Sequence, residues 1–402
     1  MSTPASAAPT LSAIDIVKVR SDTPGVDHVA HFNNAGASLP PRTVVDAVTG
    51  HLELESRIGG YEAAELAARR IEHTYDAVAA LVNGHRDEIA LVENATVAWR
   101  SVFYGLPLGP GDRILTSVAE YSSNYIAFLQ MARRTGAVVE AVPNDAYGQL
   151  DVAALERMID GRVKLVAVTH IPTNGGLVNP AAAIGRVTRA AGVPYLLDAC
   201  QTAGQLPIDV DAIGCDALSA TGRKFLRGPR GTGFLWIAKA FMERIEPPML
   251  DNTAAHLTGP DNYEMRADAR RYENFESSIA ARIGLGVAID YALGLGMGSI
   301  WARVQSLADH LRARLADVPG VAVRDLGQTK CGIVTFTVDG HAPEAVRKHL
   351  GKQGINVSVT SRAGTPLDMD ARGLDELVRA SVHYYNTEDE IERLVRVLGT
   401  LE

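Results

Sequence analysis

The chain has 402 residues, 47% hydrophobic and 21% charged, so it can bury a large core and is too apolar to be disordered. A formal charge of -8 argues against a nucleic-acid surface. Three scattered cysteines, Cys200, Cys215 and Cys331, lack the CxxC spacing of a metal site and are too few for a disulfide framework, so a reducing, cytoplasmic setting and no metal are expected. No apolar run reaches the roughly 18 residues of a membrane span, and the opening MSTPASAAPT lacks the basic-then-apolar order of a secretory leader.

In chain order, short β-prone runs alternate with helical patterns. Residues 89–94 (IALVEN) precede a helical stretch at 96–106, and 112–117 (DRILTS) precede another at 122–136. The run 137–143 leads into 152–160, where apolar residues recur at helical spacing, and 164–170 (KLVAVTH) leads through 181–192 to 193–199 (VPYLLDA). Two more strand candidates follow at 216–221 (DALSAT) and 231–237 (GTGFLWI). Apolar strands separated by helices predict an α/β fold whose mainly parallel central sheet is flanked by helices on both faces. From Pro247 the chain becomes polar and turn-rich, which predicts surface loops, before a long helix over 277–293 and another from Ile300. The runs GIVTFTVD and EDEIERLVRVLG then predict a small C-terminal α/β domain. The expected division is an N-terminal tail over 1–25, frayed at its start, a large domain over 26–295 and a small domain over 296–402, with the N-terminal segment able to pack on the last.

Open parallel sheets bind ligands beyond the carboxyl ends of their strands. The residues expected there are Glu93 to Thr96, Glu120 and Tyr121, His170 to Gly176, Asp198 to Gln201, and Thr221 to Lys224. Lys224 follows the DALSAT strand, where desolvation would lower its amine pKa and make it a nucleophile toward a carbonyl. Its plainer alternative is a solvated lysine in a glycine-rich turn. Asp198, with Gln201 three residues on, can hold a proton on a pyridine nitrogen, although it can equally cap a helix. Asn94, Ala95 and Thr96 stand where a strand passes into a helix, a place whose free N–H groups suit a phosphate. Thr221 and Arg223 can add a hydroxyl and a cation. The Tyr121 ring can cover a planar cofactor or simply fill core.

The ordered set THIPTNGGLVNP, LLDACQTAGQLPIDV and DALSATGRKFLRGPRGTGFL resembles the class V aminotransferase family of fold-type I pyridoxal-phosphate enzymes, the group of cysteine desulfurases and isopenicillin-N-epimerase-like proteins. The likeness runs from HFNNAG at 31–36 through residues 378–394. It implies pyridoxal 5'-phosphate as cofactor, held as a Schiff base on Lys224, with Asp198 at the pyridine nitrogen and Gln201 at the ring hydroxyl. Tyr121 takes the stacking place that is often histidine, and Asn94, Ala95, Thr96, Thr221 and Arg223 match the phosphate region. Thr173 or its neighbour Asn174 makes a polar cofactor contact. Arg379 matches the arginine that holds the substrate carboxylate. Relatives are commonly homodimers, in which Gly231 and Thr232 would reach the neighbour's phosphate.

These residues alone do not choose among racemisation, β-elimination and aminotransfer. A classical desulfurase needs a mobile cysteine, and the late loop SVTSRAGTPLDMDARG has none. The expectation is therefore a lyase acting on a small amino-acid-like substrate, with C–S β-elimination from a cysteine conjugate or sulfoxide preferred over epimerisation or aminotransfer. An inactive interaction protein is the non-enzyme alternative. Asn34 and Tyr61 are further candidate substrate contacts, with turn capping and surface packing as their plainer readings.

Overall fold

The computed structural model describes residues 13–401. The expected tail residues 1–12 lie outside the described residues. Seven strands form the main sheet: β1 (Ile89–Val92), β2 (Arg113–Ser117), β3 (Val138–Val142), β4 (Val163–Thr169), β5 (Tyr195–Asp198), β6 (Ala217–Thr221) and β7 (Gly233–Ile237). Their spatial order is β1-β7-β6-β5-β4-β2-β3, parallel throughout except at β7, which runs antiparallel to both its neighbours.

The apolar strand sequences follow from burial on both sheet faces. Alternate residues of β4 and β5 enter different cores: Val166, Val168 and Leu197 pack on one face, Leu165, Ala167 and Leu196 on the other. Helices α1 (Ala95–Phe103) and α2 (Ser122–Thr135) cover the second face, contributing Trp99, Phe103 and Phe128. Helix α3 (Ile279–Leu295) places Leu285 and Ile289 on the first.

At Gly296, with φ +83°, α3 gives way to α4 (Met297–Ala316) through a bend of 79°. No single described helix is long and apolar enough to cross a membrane. A second core lies beyond this bend, where α4 packs on a four-stranded sheet of β8 (Val321–Val323), β9 (Ile333–Val338), β10 (Ser358–Ser361) and β11 (Glu376–Ser381), ordered β8-β9-β11-β10. Ala292 of α3 already belongs to this core.

Two local expectations are corrected. Residues 16–21, placed by the expectation in an N-terminal tail without structure of its own, form a helix capped by Asp15. Its Val19 enters the second core, and Arg20 Nη1 donates to Tyr385 O and Glu390 Oε1, each at 2.9 Å. The polar stretch after Pro247 holds an antiparallel hairpin, Ala255–Gly259 with Asn262–Met265, where only loops were expected. Its strands are largely exposed, so their apolar period was too weak to see.

Candidate active site

The carboxyl ends of β4, β5 and β6 converge on one place, because these strands are adjacent and parallel. Beyond β6 the chain curls tightly: Gly222 N donates to Thr232 O (2.9 Å), Gly228 N to Gly222 O (2.8 Å), and Arg227 N to Lys224 O (2.9 Å). A Cβ on Gly222 would lie 2.2 Å from Thr232 Oγ1 and 2.9 Å from Leu285 Cδ1, so any larger residue would displace the Thr232 and Leu285 side chains packed on this turn. The curl places Lys224 in a desolvated position. Burial pushes its amine pKa down, and the nearby Arg223 and Arg379 charges push the same way, against Cys200 and Asp198.

Asp198 ends β5 with both oxygens engaged. Oδ1 accepts from Cys200 N (2.9 Å) and Oδ2 from Asn124 Nδ2 (3.0 Å). Gln201 is buried; its Nε2 donates to Ala35 O at 3.2 Å and retains a second N–H, while its Oε1 has no partner. A buried, unpaired carboxamide oxygen is costly unless a ligand group meets it.

Over the ends of β6 and β7 sits the start of α1. Asn94 caps it, its Oδ1 accepting from Val97 N at 3.0 Å, so the N–H groups of Ala95 and Thr96 have no partner within the helix. Gly233 makes this approach possible, since a Cβ there would lie 2.8 Å from Asn94 C and 3.0 Å from Ala95 N. Thr221 Oγ1 donates to Thr232 O (3.2 Å) and Thr232 Oγ1 to Pro229 O (2.7 Å), while Gly231 turns the loop with φ +76°. The Arg223 guanidinium is bonded to Gly36 O, so it stitches the 33–38 turn to the lysine loop.

Arg379 projects from β11 of the second unit. Its Nε donates to Ser358 Oγ (3.1 Å) and its Nη1 to Thr173, through Thr173 Oγ1 and more distantly the Thr173 carbonyl at 3.4 Å. Only 8% exposed, it has no carboxylate partner among the described residues. Burial, then the Arg223 charge, pulls its pKa down to about 10, the mark of a cation short of anions. Tyr121 opens α2, 38% exposed, and its ring oxygen is close enough to Arg379 to offset part of that shift.

Three candidates stand elsewhere or are otherwise occupied. Asn34 is wholly buried, its Nδ2 donating to Ser381 O (2.7 Å) and His31 O (3.2 Å) while its Oδ1 accepts from Tyr385 Oη. Asn174 is likewise consumed: Nδ2 donates to Thr365 Oγ1 (2.9 Å) and Ser361 O (3.3 Å), and Oδ1 accepts from Thr360 Oγ1. Both hold loops in place instead of facing a ligand. Tyr61 is 76% exposed on the helix Gly60–Leu66 and touches nothing of this site within the chain. Sequence reasoning passed over Asn124, which bonds Asp198 from one turn into α2, and His383, whose Nε2 lies 2.7 Å from Phe225 O and pins the residue after Lys224. Asn124 lies inside a helix, and His383, although it follows β11, stands beyond a strand of the second core and not of the main sheet.

The residues present fit pyridoxal phosphate: a desolvated amine, a carboxylate, a carboxamide with a spare N–H for the ring oxygen and a helix start packed against glycine. The family model for class V aminotransferases matches residues 30–394. The chain is 32% identical to a probable cysteine desulfurase of Methanothermobacter thermautotrophicus over 388 residues, 94% of this chain and 96% of the other. It is also 32% identical to a probable cysteine desulfurase of Xylella fastidiosa, covering 98% and 97%. Among solved structures, the apo cysteine desulfurase of Thermococcus onnurineus superposes with TM-score 0.90 at 28% identity, over 97% of this chain and 98% of that one. The Escherichia coli cysteine desulfurase CsdA, at 24% identity and TM-score 0.89 over 96% and 98%, shares the fold. The chain therefore belongs to the class V aminotransferase family and is a fold-type I enzyme that depends on pyridoxal phosphate.

Proposed function

We propose that the enzyme is a lyase that eliminates the β-substituent of a small cysteine-like amino acid, breaking a C–S bond. The observation that carries this reading is the state of its thiols beside an otherwise complete site. Cys215 and Cys331 are buried, Cys200 is partly buried beside Asp198, and burial pushes all three thiols far above the ordinary range. None can serve as a mobile thiolate that accepts sulfur. The relatives named as cysteine desulfurases support a cysteine-like substrate, and the loop residues Ser361 to Thr365 offer no cysteine in its usual place.

Bound pyridoxal phosphate draws electrons from the substrate's α-carbon. The chain's own residues then divide the work. The Lys224 amine, with its lowered pKa, anchors the cofactor and carries a proton to or from the α-carbon. Asp198, held by Asn124 and Cys200 N, would keep a proton on the ring nitrogen. Gln201 would donate its spare N–H to the ring oxygen, Tyr121 would cover a ring face, and the N–H groups of Ala95 and Thr96 would receive the phosphate, with the Thr221 hydroxyl turning from Thr232 O to join them. Arg379 orients the substrate carboxylate with its remaining donors, and Thr173 orients Arg379. We further propose a cytoplasmic homodimer in which the Gly231–Thr232 turn reaches the neighbour's phosphate, with the large unit holding the cofactor and residues 296–402 supplying Arg379.

A panel of L- and D-amino acids, cysteine conjugates and cysteine sulfoxides, read by chiral chromatography and mass spectrometry, tests the reaction. Ammonia, a 2-oxo acid and a released sulfur fragment are the expected products. Inverted chirality at constant mass, or amino exchange that requires a keto acid, would replace the lyase assignment with epimerisation or aminotransfer.

A further inference from the structure

Glu120 is buried at 2% exposure, has no cation partner among the described residues, and is given no role by the reading above. Five donors surround its carboxyl. Oε1 accepts from Tyr121 N (3.1 Å), Asn124 Nδ2 (2.9 Å) and Thr169 Oγ1 (2.5 Å); Oε2 accepts from Thr116 Oγ1 and Thr169 N, each at 2.9 Å. The same Asn124 Nδ2 donates to Asp198 Oδ2 at 3.0 Å. One amide thus spends its two hydrogens on two carboxylates, one of them at the cofactor.

We propose that Glu120 is a positioning residue that acts through Asn124, fixing the Asp198 carboxylate and adding the negative charge that keeps the bound cofactor protonated. This rests on the reading of Asp198 as the partner of the ring nitrogen. Tyr121 N and Thr169 N donate to different oxygens, so both oxygens must accept, which a carboxylate does and a glutamine, with one oxygen and one NH2, does not; the carboxylate therefore also staples β2, β4 and α2 together. Beyond that, its charge acts on Asp198 across one side chain. The titratable groups against it are Asp198 and Tyr195 from β5 and Tyr121 on its own segment; His170, the residue after Thr169, is held neutral by burial with a pKa of about 4. No cation stands among them to cancel the coupling. Burial raises the Glu120 carboxyl to about 7, with Asp198 pushing in the same direction, so its charge switches within the working range of an enzyme.

The test titrates the visible absorption of the bound cofactor against pH in the holoenzyme. Glu120→Gln removes a negative charge and should lower the midpoint by roughly half a unit to one unit. Asn124→Ala takes a donor from Asp198, leaves that carboxylate less satisfied, and should raise the midpoint. A residue that only staples the loops would lower melting temperature in both variants and move neither midpoint. Unmoved midpoints with cofactor bound overturn the proposal. If the wild-type protein takes up no cofactor, the reading of the site has failed, and the coupling is judged on the apoprotein with 13C-labelled glutamate carboxyls. There the carboxyl that titrates near 7 should move down in Asp198→Asn; a carboxyl that does not move overturns the coupling independently.

Discussion

The two ends of the site are built differently. At the cofactor end, Lys224, Asp198 and the start of α1 sit at the termini of neighbouring strands, each within a few residues of an apolar run. At the substrate end, Arg379 reaches the site only because β11 belongs to a second core, and its partners Thr173 and Ser358 come from loop and strand segments far apart in sequence. A sheet positions the first set by its own register, whereas the second depends on how two hydrophobic cores meet. Damage at the cofactor end should therefore abolish chemistry, and damage at the substrate end should chiefly weaken recognition.

The largest test of that contrast is Lys224→Ala. Borohydride followed by mass spectrometry should find no covalent adduct, and turnover should fall at least about a thousandfold, as expected for loss of both anchor and proton carrier. Retained turnover would mean that the amine is not the reacting group. Arg379→Ala should cost about a hundredfold in kcat/KM, mainly through KM, with the cofactor still trapped on Lys224 by borohydride. Loss of that adduct would merge the two ends into one unit.

Stability probes sharpen the same division. Asn34→Ala leaves Ser381 O and the Tyr385 hydroxyl short of a buried partner and should cost about 2–3 kcal/mol in chemical denaturation, with KM for any substrate unchanged. A normal Tm with a raised KM would return Asn34 to the site. For Glu120 the sign is set by proton uptake. The folded carboxyl keeps its proton to about 7, while an unfolded one releases it near 4.5, so the native state binds more protons between those values. Stability from this group is present at low pH and is lost as pH rises through that window. Denaturation midpoints should accordingly converge on, or cross, those of Glu120→Gln as pH increases from 4.5 to 7. The smallest effect belongs to Tyr61→Ala, within about 0.5 kcal/mol of wild type for an exposed side chain. A raised KM there would show that the tyrosine serves the site of a second subunit.

Much of the fold was legible because burial on both faces writes β4, β5, β6 and β7 as continuous apolar runs, and helices α1, α2 and α3 carry clear apolar spacing. The hairpin after Pro247 was not, since its exposed strands carry no such pattern. Residues Asn34 and Asn174 show the limit most plainly. Each is an asparagine in a turn-rich motif, and sequence alone gives an amide facing a substrate the same appearance as one facing distant carbonyls, Ser361 O for Asn174 and Ser381 O for Asn34.

The amino-acid sequence by itself determined the sheet, the lysine loop and the family, because local periodicity and ordered motifs survive without knowing what packs on what. Tertiary structure alone decided which polar groups have spare valence. It tied Arg223 to the Gly36 carbonyl, left Arg379 without an anion, and joined Glu120 to Asp198 through one amide. Hydrogen-bond satisfaction is a property of three-dimensional neighbours, and those neighbours are set by how the two cores close on each other.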